Sequence, residues 1–196
     1  MRKNYSRRFN RDVLVLMPGE YFASKNPAII CTLLGSCISA CIFDIVNKIG
    51  GINHFMLPGR VDPDNFIHTK AGRYGMYAME LLIGDLIKLG AARKNLRAKI
   101  FGGSNVLNFR KTEGDISRSN IQFSKNFLEM EQVPLLSLDV GGTVGRKIFF
   151  FTDTGKVLSK KLIGISKTEV LREELRYKRN LFRKRLEDSR LTLFDI

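Results

Sequence analysis

No apolar stretch in these 196 residues approaches the roughly 18 that a membrane-spanning helix requires. The run at 13–17 is also too short for the h-region of a secretory signal, so the chain reads as soluble. Cysteine is scarce: three residues, an odd number without regular spacing, do not make a disulfide framework and point to a reducing, cytoplasmic setting. Histidine is scarcer, with two residues, and the sequence holds neither a C-x-x-C nor an H-x-x-x-H pair, which excludes the familiar zinc patterns. Internal repeats, long polar tracts and low-complexity segments are lacking too, which argues against disorder. What remains is a chain 44% hydrophobic, long enough for one well-buried core.

Acidic residues are outnumbered, 19 against 33 basic, for a formal net charge of +14. The excess sits at the two ends, with Arg2, Lys3, Arg7, Arg8 and Arg11 at the start and a cluster at 172–190 near the finish. Such charge favours partners with negative surfaces, or is merely solvated. No nucleic-acid-binding motif and no interleaved aromatic platform accompany it, so nucleic acid is not the expected partner.

The pattern predicts strands at 12–17, 28–34, 38–43 and 49–57, with a Pro18-Gly19 turn after the first. Residues 73–89 change period: Met76, Met79, Leu82, Ile83, Leu86 and Leu89 make a helical stripe, closed by Gly90. A short strand at 98–101, a helix at 119–131 and a strand at 135–140 follow. Strands at 147–152 and 156–162 flank Asp153-Thr154-Gly155, a hairpin signal. Ser166 and Glu169 fit a capping box opening a last helix to about Leu186. The glycine-rich run Val140 to Lys147 precedes a strand, not a helix, and reads as a tight turn rather than a phosphate loop. The class is α+β, with mixed β-sheets flanked by helices.

The stretch LLGSCISACIFDIVNKIGGINHFMLP places Cys37 and His54 at the two ends of a predicted hairpin. With Ile45-Val46 as the loop, Asp44 faces Asn47 and Cys37 lies opposite His54, within thiol–imidazole reach. Asn47 supplies the left-handed residue such a loop needs. A neighbouring imidazole activates a thiol as nucleophile and can then protonate a leaving amine. Gly35-Ser36 lets the backbone approach a carbonyl, and N–H groups near Cys37 would serve as an oxyanion hole. Thr32 is the nearest candidate to orient the imidazole. The competing reading is a buried thiol and a satisfied imidazole, as Cys31 and Cys41 suit buried positions. His68, in a polar loop, reads as a surface residue.

LLGSCISACIFD, IGGINHFMLP, RYGMYAMELLI, AKIFGG and DVGGTVGRKIFFFTDTGKV, in this order over about 13–162, resemble the CheD family of chemoreceptor glutamine deamidases. The resemblance implies a Cys–His hydrolase fold like that of a glutamine-deamidating toxin domain. It implies hydrolysis of receptor glutamines through a Cys37 thiolate and a thioester, with His54 as base and acid and without metal or organic cofactor. The third member is a threonine in the strand before G-S-C. Two alignments place Thr32 or Cys31 there, and Thr32 is preferred because a thiol orients imidazole poorly. The implied partners are chemoreceptor cytoplasmic helices and the phosphatase CheC; the alternative is an adaptor without chemistry. The implied organisation is a deamidase domain at 1–165 with a basic N-terminal arm, and a basic helical extension at 166–196.

Overall fold

β-Branched and aromatic runs in this sequence become two five-stranded sheets. A computed structural model of the chain describes residues 1–57, 59, 69–106, 114–163, 168, 172, 175–177 and 179. The outer sheet consists of β1 (Arg2–Ser6), β2 (Arg11–Val15), β4 (Ile29–Leu34), β9 (Arg146–Phe151) and β10 (Val157–Lys161), adjacent in that order. The inner sheet contains β3 (Tyr21–Ser24), β6 (Gly50–Asn53), β5 (Ile38–Asp44), β7 (Leu96–Gly102) and β8 (Leu135–Val140). Each sheet has one parallel pair, β2 with β4 and β7 with β8, and its other pairs are antiparallel. The α+β class with mixed sheets is therefore as expected, while the basic start of the chain forms an edge strand.

Helices α1 (Lys70–Lys88) and α2 (Gly114–Met130) cover one face of the inner sheet. The α1 stripe buries Met79, Leu82, Ile83 and Leu86, with Met76 and Leu89 half-buried against the same core. Thr69 caps the helix start by accepting from the Gly72 amide, and Gly90, at φ 105°, ends it in the left-handed conformation glycine tolerates.

The strand period of two divides β5 cleanly. Ile38, Ala40 and Ile42 face the helices, whereas Cys37, Cys41 and Phe43 face the outer sheet. There they meet Ile30, Leu34, Ile148 and Phe150 in a second core between the sheets. Cys31 points to the far side of the outer sheet, among Val13, Ile29 and the rings of Phe9, Phe149 and Phe151. The molecule is thus layered sheet, sheet, helices, and the residues around Cys37 belong to the buried middle.

The hairpin register differs from the two-residue-loop reading. Asp44 closes onto Ile49 rather than Asn47, leaving a four-residue loop at 45–48. The cause is the Asp44 carboxylate, which accepts from the amides of Val46, Asn47 and Ala92 and from the Asn47 side chain. Burial works against its charge, but these bonds outweigh it and hold the carboxyl at about 2. The left-handed residue is Lys48, φ 58°, not Asn47. Cys41 consequently pairs with Ile52, and a bridge joins Ile38 to Phe55. Cys37 then stands level with Met56, and His54 with Ser39.

Of the expected last helix, Thr168, Arg172, Leu175, Arg176, Tyr177 and Arg179 are described and helical, while Ser166, Glu169 and Leu186 lie outside the described residues, as does His68.

Candidate active site

A register displaced by two positions preserves the face of every side chain. Cys37 and His54 are therefore diagonal neighbours on the side of β5 and β6 that looks at the outer sheet, still within reach of a ring. Asn53 shapes the approach to His54. Its Oδ1 accepts from the Ala40 amide at 2.9 Å, replacing a backbone partner, and its Nδ2 donates to the Ala78 carbonyl of α1 at 3.1 Å. The Pro18-Gly19 turn holds His54 from the other side: Gly19 N–H donates to the His54 carbonyl, and His54 N–H to the Glu20 carbonyl.

Thr32 reaches this histidine from β4. Its Oγ1 lies 2.7 Å from His54 Nδ1 and donates at 2.8 Å to the Leu16 carbonyl. A hydroxyl has one proton to give, so with that proton on Leu16 the Thr32 oxygen receives the Nδ1 proton. The imidazole is thereby set with Nδ1 protonated and Nε2 bearing the lone pair. Nε2 is buried and has no hydrogen-bond partner among the described residues. Burial pulls the imidazole down to about 3, against the opposing effect of the Leu16 carbonyl. At neutral pH His54 is a neutral base with its basic nitrogen unoccupied. Cys31, the alternative third member, faces away from it.

Three consecutive carbonyls fix the loop that carries the thiol. Gly35 O accepts from the Ser104 amide at 2.6 Å, Ser36 O from Asn120 Nδ2 at 2.7 Å, and Cys37 O from the Gly103 amide at 2.7 Å. The trans peptide joining Ser36 to Cys37 aims the Cys37 N–H opposite to the Ser36 carbonyl that Asn120 holds. Gly102 runs directly beneath: a Cβ there would collide with the Cys37 carbonyl oxygen, and its φ of 111° suits only glycine. Arg146, buried, donates to the carbonyls of Gly102, Asp139 and Gly141 and so binds the glycine-rich turn to this floor. The Ile38 amide is engaged by Phe55, so it is not available as an oxyanion donor.

Asn120 was not visible as a site residue in the sequence. From α2 its Nδ2 holds Ser36 O while its Oδ1 accepts from Leu57 N–H at 2.8 Å, joining the Cys37 loop to the segment after His54. Asn120→Ala leaves the buried Leu57 amide and the part-buried Ser36 carbonyl without this partner. Denaturant titration should show a loss of about 2 kcal/mol or more. Tyr74 and Tyr177, hydroxyls 2.6 Å apart, were likewise not singled out. Cys41 lies deep in the core and burial raises its thiol far above the usual range, so it is inert. Among the described residues no group of three or more His, Cys, Asp or Glu side chains is placed to hold a metal.

Known proteins are similar to this chain to different degrees. The crystal structure of the Bacillus licheniformis hypothetical protein YfiH superposes with a TM-score of 0.43 at 12% identity, covering 63% of this chain and 51% of that one. A family model described as CheD chemotactic sensory transduction matches residues 56–161. A probable chemoreceptor glutamine deamidase CheD of Janthinobacterium sp. (strain Marseille) is 45% identical, the match spanning 90% of this chain and 87% of that protein. A probable chemoreceptor glutamine deamidase CheD 1 of Shewanella oneidensis is 43% identical over 89% and 84%. With a family model covering more than half the chain and relatives of this identity aligned over nearly all of it, the chain belongs to the CheD family.

Proposed function

We propose that the chain is a hydrolase that converts glutamine side-chain amides to glutamates on the cytoplasmic helices of chemoreceptors. The relatives' names support the substrate class, and one observation supports the chemistry: His54 is held by Thr32 with Nε2 left as a lone-pair base on the face it shares with Cys37. In this reading Nε2 takes the thiol proton as Cys37 Sγ bonds to the amide carbon. The carbonyl oxygen gathers charge, which a backbone N–H near Cys37 would receive. The imidazolium then gives its proton to the nitrogen, the C–N bond breaks, and ammonia leaves a thioester. Water adds to that thioester, passing its proton to Nε2. The C–S bond breaks, leaving a glutamate side chain, and the proton returns to sulfur.

The reading extends to a cytoplasmic enzyme with a Cys–His hydrolase fold like the glutamine-deamidating toxin domain, a catalytic unit at 1–165 and an extension at 166–196. CheC is a candidate regulator. Thr32 acts through His54 as a positioning residue. Thr32→Val loses the Nδ1 acceptor and should lower kcat about a hundredfold with KM nearly unchanged, while Thr32→Ser retains most activity.

Ammonia release is the test. A receptor cytoplasmic fragment incubated with the protein should liberate ammonia in stoichiometric relation to its reactive glutamines. A fragment that binds yet yields none would favour the adaptor reading.

A further inference from the structure

Cys37 and His54 are 0% and 1% exposed, so the reacting atoms are sealed and no amide reaches them as the chain stands. What seals them comes partly from far along the sequence. Tyr177, in the C-terminal helical segment, is half-buried against the core cluster that includes Cys37, Met56 and Phe101. Its hydroxyl meets that of Tyr74 on α1 at 2.6 Å, and its ring lies against Gly19, where an added Cβ would stand 3.1 Å from it. Gly19 is the residue whose amide holds the His54 carbonyl. Burial above all raises both phenols beyond the ordinary tyrosine range, and the nearby Cys37 sulfur adds to the rise in each.

Beside this contact a cleft of about 220 Å³ opens to the surface, lined by Gly19, Asn53, His54, Tyr74, Tyr77 and Leu81. Tyr77, one α1 turn from Tyr74, is 61% exposed at that cleft, a large apolar ring with water on it. The segment now seated beside the cleft is itself helical at 175–177 and 179.

We propose that the gap between Gly19 and Tyr74 is the entrance to Cys37, that Tyr177 is its resident plug, and that a substrate helix lying along Tyr77 replaces Tyr177 and sends its glutamine side chain through the same gap. The proposal rests on the deamidase reading for its substrate and on geometry for its entrance. Tyr177 is the smaller occupant in chemical demand: a phenol with one hydroxyl on Tyr74. A glutamine amide brings both a donor and an acceptor to the same hydroxyl and has the reach to meet the thiol. Closure also explains why a reactive thiol would lie idle without substrate, since exchange of the two helices uncovers it.

The full chain provides its own control: Cys31 is buried on the far side of the outer sheet, and Cys41, in the same core as Cys37, lies four residues further on, in β5. Iodoacetamide labelling, resolved by peptide mass spectrometry, should show Cys37 reacting roughly tenfold faster in Tyr177→Ala than in the natural chain, with Cys31 and Cys41 unchanged. Tyr177→Phe keeps the ring and should give a smaller rise. Tyr77→Ala should raise KM for a receptor fragment while leaving the labelling rate of Cys37 alone. An unchanged Cys37 rate in Tyr177→Ala, or a parallel rise at all three cysteines, would overturn the plug. Faster Cys37 labelling with no deamidation by any variant would leave the entrance standing and remove the deamidase reading. Deamidation by the natural chain with unchanged labelling would do the reverse.

Discussion

With Cys37 replaced by alanine, no ammonia is released from a receptor fragment, while the protein still folds. The two halves of this expectation rest on different physics. The thiol is the sole bond-forming group in the proposed reaction, and Nε2 alone has no acyl acceptor to activate. The fold, by contrast, loses a small apolar group from the core between the sheets, for a cost of about 1 kcal/mol or little more. Near-natural thermal unfolding together with complete loss of ammonia release is therefore the predicted pair of results. Cys37→Ser is the sharper variant, since it keeps an O–H on the face shared with His54 but makes a far weaker nucleophile. Ammonia release by the alanine variant would place the chemistry elsewhere.

His54→Gln is expected to lower kcat about a thousandfold, because among the described residues no other base is placed to take the thiol proton. It has a second signature in stability. Below about pH 6.5 the unfolded chain binds a proton at His54, while the folded chain refuses it until about pH 3. Stability of the natural chain thus falls on acidification through that window, by at most about 1.4 kcal/mol per pH unit. Glutamine does not titrate. Between pH 7 and pH 5 the stability difference between natural chain and variant should shift by about 2 kcal/mol in favour of the variant, as urea titrations at the two pH values would show. A pH-independent difference would mean that His54 is not held neutral by burial.

How far such a site can be read from sequence depends on what each inference needs. The face shared by Cys37 and His54 was legible because parity along a strand survives a register error of two. The residues they stand level with were not, because the Asp44 carboxylate turned a two-residue loop into a four-residue one. Which of Thr32 and Cys31 faces His54 is a matter of sheet face, and neither alignment nor composition carries that; the contact between Thr32 Oγ1 and His54 Nδ1 does. Met79 to Leu86 were legible from local periodicity, and the turn at Gly155 from Asp-Thr-Gly, whose glycine does adopt a positive φ, 65°. β1 and β3 were not, one because its side chains are mostly exposed and polar, the other because four residues carry no period. Asn120 and Tyr177 act 84 and 103 residues from Ser36 and Tyr74, the groups they hold, and no local pattern announces contacts of that range.

The central claim is that Cys37 and His54 exchange a glutamine amide for an acid on a receptor helix. Peptide mass spectrometry of a receptor cytoplasmic fragment, after incubation with the natural chain and with Cys37→Ala, tests it most directly. A gain of about one dalton at particular glutamines is expected with the natural chain, the mass change of amide hydrolysis, and none with the variant. Unmodified glutamines with the natural chain, or equal gains with both proteins, would contradict it.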